Sequence, residues 1–439
     1  MTQASVAITG MGAVTPLGLQ TQDLWDALCA GRSGISRITA FDPSGFPSQI
    51  AGQVPDYKLR DYIPKTYRKA AKLMCRDIEL AVMAANQALR QCGLNSPAID
   101  PENVTLNAER VAVNIGASLI TCDLEELAPS VASCMDGDRF SPQKYGRTGI
   151  ELVTPLWLLK YLPNMLACHI SILHDLQGPS NSITCAEVSG HLALSEASQI
   201  IQRGDADMAL AGGAEAKVNA HTILRQNLIG RATEQGNDTP ETAYRPFAAD
   251  ATGAVFGEGA AILVLENLDM ARKRGATIVA ELAGTGQSIS LNPDYRHLEP
   301  DGKGIQIAVE KAMADADIGP DDLDLVIPHG MAIPADDSAE AQGLAAALGT
   351  AVKDIAVLPT KGLMSNTGAA CGAVDTIVAA LALQNGQIPA ACNCIPRATD
   401  CALNIIQEPQ SRPLRYALSC SYTYGGHTAA VVLRNPHVD

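Results

Sequence analysis

Four stretches of this chain set polar side chains beside Gly-rich turns. The first is Gly178-Pro-Ser-Asn-Ser-Ile-Thr-Cys-Ala-Glu187-Val-Ser-Gly190, which runs into the helical period Gly190–Ile201. A strand that turns sharply into a helix offers free N–H groups and partial positive charge at the turn. An enzyme can place a nucleophile there and use those amides as oxyanion donors; a capped, buried helix shows the same pattern. The second is His329-Gly-Met-Ala-Ile-Pro-Ala-Asp-Asp337-Ser-Ala-Glu340, directly after the apolar run Leu323–Ile327. A His at the C-terminal end of a buried strand fits a crevice site in an open α/β sheet. The third is Pro359-Thr-Lys361-Gly-Leu-Met-Ser-Asn366-Thr-Gly-Ala-Ala-Cys-Gly372-Ala-Val-Asp375, where Lys361 and Asn366 stand out among small apolar residues. The fourth is the turn Ser421-Tyr-Thr-Tyr424-Gly-Gly426-His427.

Short apolar runs alternate with Ala-rich helical periods and must hold these turns in place. Val6–Thr9, Val111–Ile115, Asp207–Ala211, Ala261–Leu265, Ile278–Leu282, Leu323–Ile327, Ala356–Leu358, Tyr416–Ser419 and Ala429–Leu433 read as buried strands. Helices are expected over Thr21–Ala30, Cys75–Cys92, Gly190–Ile201, Ile305–Ala316, Ala339–Leu348 and Gly372–Gln384. Continuous apolar strands between helices mean a sheet covered on both faces. Each side of Glu266 holds several strand–helix units and one Gly-rich turn into a small-residue helix, so two similar α/β halves are expected. The irregular segment Thr121–Leu162 reads as an insertion or cap, and Glu234–Thr239 as a surface loop.

Composition narrows the function classes. With 47% hydrophobic and 18% charged residues, the 439-residue chain is globular and not disordered. Only 4% is aromatic, so the core is built from small and aliphatic side chains. A net charge of −15 without a Lys/Arg run argues against a nucleic-acid binder. Twelve Cys with no CxxC pair predict no metal site and suit a reducing, cytoplasmic setting. Val6-Ala-Ile-Thr9 starts a strand with no leader pattern before it, so no secretory signal is expected, and no apolar stretch of 18 residues is read, so no membrane span is expected.

Together the four stretches resemble the β-ketoacyl synthase family over almost the full chain. Val6-Ala-Ile-Thr-Gly-Met-Gly-Ala-Val-Thr-Pro-Leu-Gly18, Gly31-Arg-Ser-Gly-Ile35, Gly204-Asp-Ala-Asp-Met-Ala-Leu-Ala-Gly-Gly-Ala-Glu215, Arg245-Pro-Phe and Gly257-Glu-Gly-Ala260 follow the family's motifs in order. The resemblance is strongest to the fatty-acid elongating synthases and their type II polyketide relatives. It implies a thiolase-like α/β fold, with halves at 1–265 and 266–439 stacked as five αβαβα layers. It also implies a dimer through Ser180–Thr184, an acyl carrier protein as partner, and no cofactor beyond the phosphopantetheine that this partner carries.

The family's nucleophilic Cys is missing. Counting without gaps from Gly178-Pro-Ser, or back from Gly190, puts Glu187 at its position. Cys185 lies two residues earlier and reads as a buried thiol. His329 and Lys361 match the family's first His and its Lys, and Asn366 stands at the second His. Met331 and Ile333 replace the Thr pair that bonds the pantetheine arm, each losing about 1 kcal/mol of hydrogen bonding. Tyr424, ahead of Gly425 and Gly426, stands where relatives have a gating Phe. A carboxylate is a poor acyl acceptor, so condensation by this chain alone is not expected. Glu187 is expected as an anion that pairs with Lys361 or His329.

Three functions follow from the resemblance. The first is a non-condensing subunit like a chain-length factor, paired with a Cys-bearing synthase, although such factors usually carry Gln where this chain has Glu187. The second is an enzyme of altered acyl chemistry, a malonyl-thioester decarboxylase, acyltransferase or thioesterase using Glu187, His329 and Asn366. The third is a structural or regulatory pseudo-synthase, and the dimer is hetero- or homo-. Arg68, Lys69 and Lys72 form a candidate basic face for the acidic carrier protein.

Overall fold

The computed structural model describes residues 4–290 and 292–438. Ten strands form one mixed sheet: β1 (Val6–Val14), β2 (Val111–Ala117), β3 (Ser180–Thr184), β4 (Met208–Ala216), β5 (Glu258–Asn267), β6 (Ala280–Ile289), β7 (Leu325–Ile327), β8 (Ala356–Val357), β9 (Tyr416–Tyr422) and β10 (His427–Arg434). From one edge the order is β3-β2-β4-β5-β1, and from the other β8-β7-β9-β10-β6. Within each five, the second strand is parallel to the first and third, and the fourth is antiparallel to the third and fifth. Among the described residues, the two fives join where Val6–Ile8 pairs antiparallel with Ala280–Leu282. The same topology thus occurs twice, giving the two similar halves of a thiolase-like fold.

The helices complete five layers. α1 (Arg76–Gln91) covers β1, β4 and β5 on one outer face, and α3 (Lys303–Asp315) covers β6 and β10 on the other, with α4 (Pro334–Leu348) packed on α3. Between the two five-stranded halves of the sheet lie α2 (Ser189–Gln202) and α5 (Cys371–Asn385), each touching strands of both halves. Every residue from Cys371 to Leu383 is buried, as a helix apolar on all sides requires. The stretch Gly368–Asn385 is long and apolar enough to span a membrane by composition, contrary to the sequence expectation. It is 89% buried inside the protein, which makes it a core helix.

Nine expected strands and six expected helices occur, with ends shifted by a few residues. Helices Met165–His174 and Ala220–Leu228 were not anticipated. Segment 121–162 forms short helices and a two-residue-per-strand hairpin, a cap as expected. Arg68, Lys69 and Lys72 are exposed, but on two short 3-10 turns and not on one helix face.

Candidate active site

The two Gly-rich turns meet at the centre of the molecule. Turn Ala186–Val188 opens α2, and turn Gly368–Ala370 opens α5. Their approach explains the small residues. A Cβ on Gly213 would sit 2.2 Å from the Ala369 carbonyl oxygen, and one on Gly190 would sit 2.9 Å from it. Only glycine lets the backbones come this close. Ala186 has φ of +47°, strained for a residue with a Cβ, and this elbow turns Glu187 inward. The Cys185 amide donates to Ser189 Oγ, and Ser189 Oγ donates to the Ala117 carbonyl, which fixes the elbow to β2. Cys185 itself is half-buried, less enclosed than expected, and burial still pushes its thiol up.

Glu187 is 1% exposed and pairs with Arg231 across 3.2 Å, Nη1 to Oε1. The expected pairing with Lys361 or His329 is not formed. Burial works against the charged carboxylate, but the Arg231 and Lys217 charges outweigh it and hold Glu187 below its usual range. The Arg231 guanidinium also lies 4.7 Å from the Tyr424 ring centroid and 5.9 Å from that of Phe256. Lys217 bonds Glu215 at 2.6 Å, and the other Glu215 oxygen accepts from the Ala369 amide, so this pair ties β4 to the second turn. Tyr424 rides on a turn whose Gly426 has φ of +85° and lies against Ser290.

The C-terminal half supplies the other residues. Lys361 is fully buried and paired with Asp375 at 2.6 Å, while Asp375 also accepts from Thr360 Oγ1 at 2.6 Å. Burial alone lowers the Lys361 ammonium, and the Asp375 charge reverses this. Topology decides against Glu187 here, because Asp375, near the start of α5, lies beside the short helix that opens at Lys361. His329 is held by its amide donating to Glu340 Oε1, and its ring packs edge-on to Tyr422 at 4.7 Å. Burial and the Lys361 charge drive its pKa far down, so the imidazole is neutral, and neither ring nitrogen has a partner among the described residues.

Asn366 is committed to structure. Its Oδ1 accepts from the Gly368 amide and the Cys371 thiol, and its Nδ2 reaches Met331 Sδ at 3.1 Å. Met331 and Ile333 are buried and lie off the cavity beside the elbow, which has a volume of about 290 Å³. That cavity is lined by Glu187, Glu215, Lys217, Arg225, Arg231 and Tyr424, among others. Sequence reasoning missed Arg231, Lys217 and Asp375 as partners. The isolated Arg in Ile229-Gly-Arg-Ala and the Lys two places after Glu215 were the available signals.

Residues 3–271 match the family model "Beta-ketoacyl synthase, N-terminal domain", and residues 279–395 match "Beta-ketoacyl synthase, C-terminal domain". The chain is a member of the β-ketoacyl synthase family. The family's 3-oxoacyl-[acyl-carrier-protein] synthase 2 of Staphylococcus aureus (strain COL) is 32% identical over 433 residues, 98% of each chain. The corresponding synthase of Coxiella burnetii is also 32% identical and covers 99% of each. Among solved β-ketoacyl synthase structures, "The ishigamide ketosynthase/chain length factor" superimposes with a TM-score of 0.83 at 25% identity, covering 99% of each chain. A β-ketoacyl synthase from Burkholderia phymatum STM815 gives 0.84 at 27% identity, covering 98% of this chain and 99% of that one. The chain is therefore a ketosynthase-like protein of fatty-acid or polyketide synthesis.

Proposed function

We propose that this chain is a non-condensing subunit that pairs with a Cys-bearing ketosynthase and shapes the path of the growing acyl chain. The observation that carries this reading is the Glu187 carboxylate, buried at the elbow and bound to Arg231. An anion in a salt bridge is a poor nucleophile, and its acyl anhydride would hydrolyse. Asn366 adds to the argument, because its side-chain amide is consumed by Gly368, Cys371 and Met331. The likeness to a ketosynthase/chain length factor supports the same role.

The partner surface is β3. Among the described residues it pairs only with β2, and its residues are exposed or half-buried at the edge of the sheet. An open strand edge is a template for another chain. Leu119 beyond β2, Ile172 on the helix that packs on β3, and Ile150, Leu152, Leu156 and Leu158 of the cap are all exposed. A monomer rarely leaves so many large apolar side chains around one edge. An acyl carrier protein is the expected visitor, with the exposed Arg68, Lys69 and Lys72 as its docking charges.

One observation favours a second reading. The neutral His329, with both ring nitrogens unpartnered, is suited to hydrogen-bond a thioester oxygen in a decarboxylase or acyl-transfer reaction. Turnover decides between the two readings. The purified chain, given malonyl- and acyl-carrier-protein thioesters, is expected to form no acyl adduct and no 3-oxoacyl product. Malonyl-thioester decarboxylation by the isolated chain, lost in Glu187→Gln, would replace the subunit reading with the enzymatic one.

A further inference from the structure

The cavity beside the elbow has an unbalanced charge. Arg225, Lys217 and Arg231 face Glu187 and Glu215 across it, three cations against two carboxylates. Lys217 pairs with Glu215 and Arg231 with Glu187. Arg225 donates to the Thr121 and Thr222 hydroxyls and makes no ion pair among the described residues. One positive charge is left over. Donors are left over as well: Arg231 is 4% exposed, yet its Nε and Nη2 meet no acceptor among the described residues, and neither does Arg225 Nε. Buried guanidinium donors without acceptors are costly, so a site that keeps them is built to receive an acceptor. The rim is of opposite character, with Leu119, Leu228, Ile229 and Tyr424 exposed around the opening.

We propose that this cavity binds a free monocarboxylate with an apolar tail, of the medium-chain fatty-acid class. The carboxylate accepts from Arg231 and Arg225, and the tail lies against Leu228 and Ile229. A planar carboxylate matches the fork of a guanidinium. A single negative charge balances the cavity, whereas a phosphate dianion overshoots it. The volume of about 290 Å³ sits at the lower end of the range for ligand pockets, which suits a medium tail over a long one. No bond is made or broken. The inference goes beyond the subunit reading and does not depend on it, because the site is formed by this chain alone.

Titration calorimetry of the purified full chain with sodium octanoate near pH 7.5 tests this, with 1-octanol as the uncharged comparator. Saturable one-to-one binding of octanoate is expected, with octanol at least about tenfold weaker, the size of one charge-assisted hydrogen bond. Arg225→Met is expected to weaken octanoate by a similar factor while the melting temperature stays unchanged. Leu228→Asp, at a position 76% exposed, puts a negative charge on the rim without touching the core and is expected to weaken octanoate too. Equal affinity for octanoate and octanol, no binding at millimolar octanoate, or full affinity in both folded variants overturns the proposal. None of these results bears on which subunit the chain pairs with.

Discussion

Lys361 and Asp375 are wholly buried, 2.6 Å apart, with Thr360 taking up the second Asp375 oxygen. Glu187 and Arg231 are nearly as buried but 3.2 Å apart, and two Arg231 nitrogens have no acceptor. Both pairs stand beside an opening turn of a central helix, one in each half of a duplicated topology. The C-terminal pair is closed: every strong polar atom has a partner, and it holds a loop against α5. The N-terminal pair is open, lining a cavity with donors to spare. The difference separates a pair that serves the fold from one that alters the chemistry of a site. Under the proposed subunit reading, Glu187 takes the place of a nucleophile without collapsing the elbow.

The largest effect is expected from Asp375→Ala. It leaves a fully buried ammonium alone and should cost about 3–5 kcal/mol, read from the urea midpoint. Lys361→Met with Asp375→Leu should recover most of that loss, since an apolar pair of similar volume does not strand a charge. Glu187→Ala should cost less, about 1–3 kcal/mol, because the freed Arg231 still faces a cavity that admits water. An equal loss at both positions would remove the distinction between closed and open pairs.

Glu187→Gln sharpens the same comparison through pH. The folded-state pKa of Glu187 lies below the ordinary 4.5, so the unfolded chain takes up its proton first. The wild type's advantage over Glu187→Gln should be full above pH 4.5, and it should shrink as pH falls through the lower folded value. A constant difference down to strong acid would mean that no anion is held there. Tyr424→Leu removes one ring from Arg231 and should cost about 0.5–1 kcal/mol of stability. The smallest change is expected from Glu187→Cys. Condensation by the isolated chain should stay undetected in a product assay if, as the family resemblance implies, Asn366 and Met331 stand where the second His and a pantetheine-binding Thr would be.

The fold was legible where apolar content was continuous. Ala261–Leu265 and Ala429–Leu433 lie in strands covered on both faces, and such strands leave an unbroken hydrophobic run. Polar β3 has no such run. It was placed only through the family resemblance, because its open edge leaves the polar Ser180 and Asn181 exposed and Ser182 half-buried. The elbow was visible as a Gly-rich turn into a helix, and Glu187 was matched to the nucleophile position only through the family resemblance. Their partners were not: Arg231 lies 44 residues beyond Glu187 in a loop with no periodicity, and nothing local ties the two together. Lys361 was misassigned for a related reason. A buried cation needs a counter-ion, and both Glu187 and Asp375 satisfied that rule until topology put Asp375 on the adjoining helix turn.

The most direct test of the subunit role is the composition and activity of the complex the chain forms in its own cell. A tagged chain should recover a Cys-bearing ketosynthase in one-to-one ratio, as read by native mass spectrometry. That complex should condense acyl and malonyl units, and Glu187→Gln in this chain should not stop it. Recovery of this chain only with itself, together with acyl turnover that Glu187→Gln abolishes, would contradict the account and make Glu187 a catalytic group.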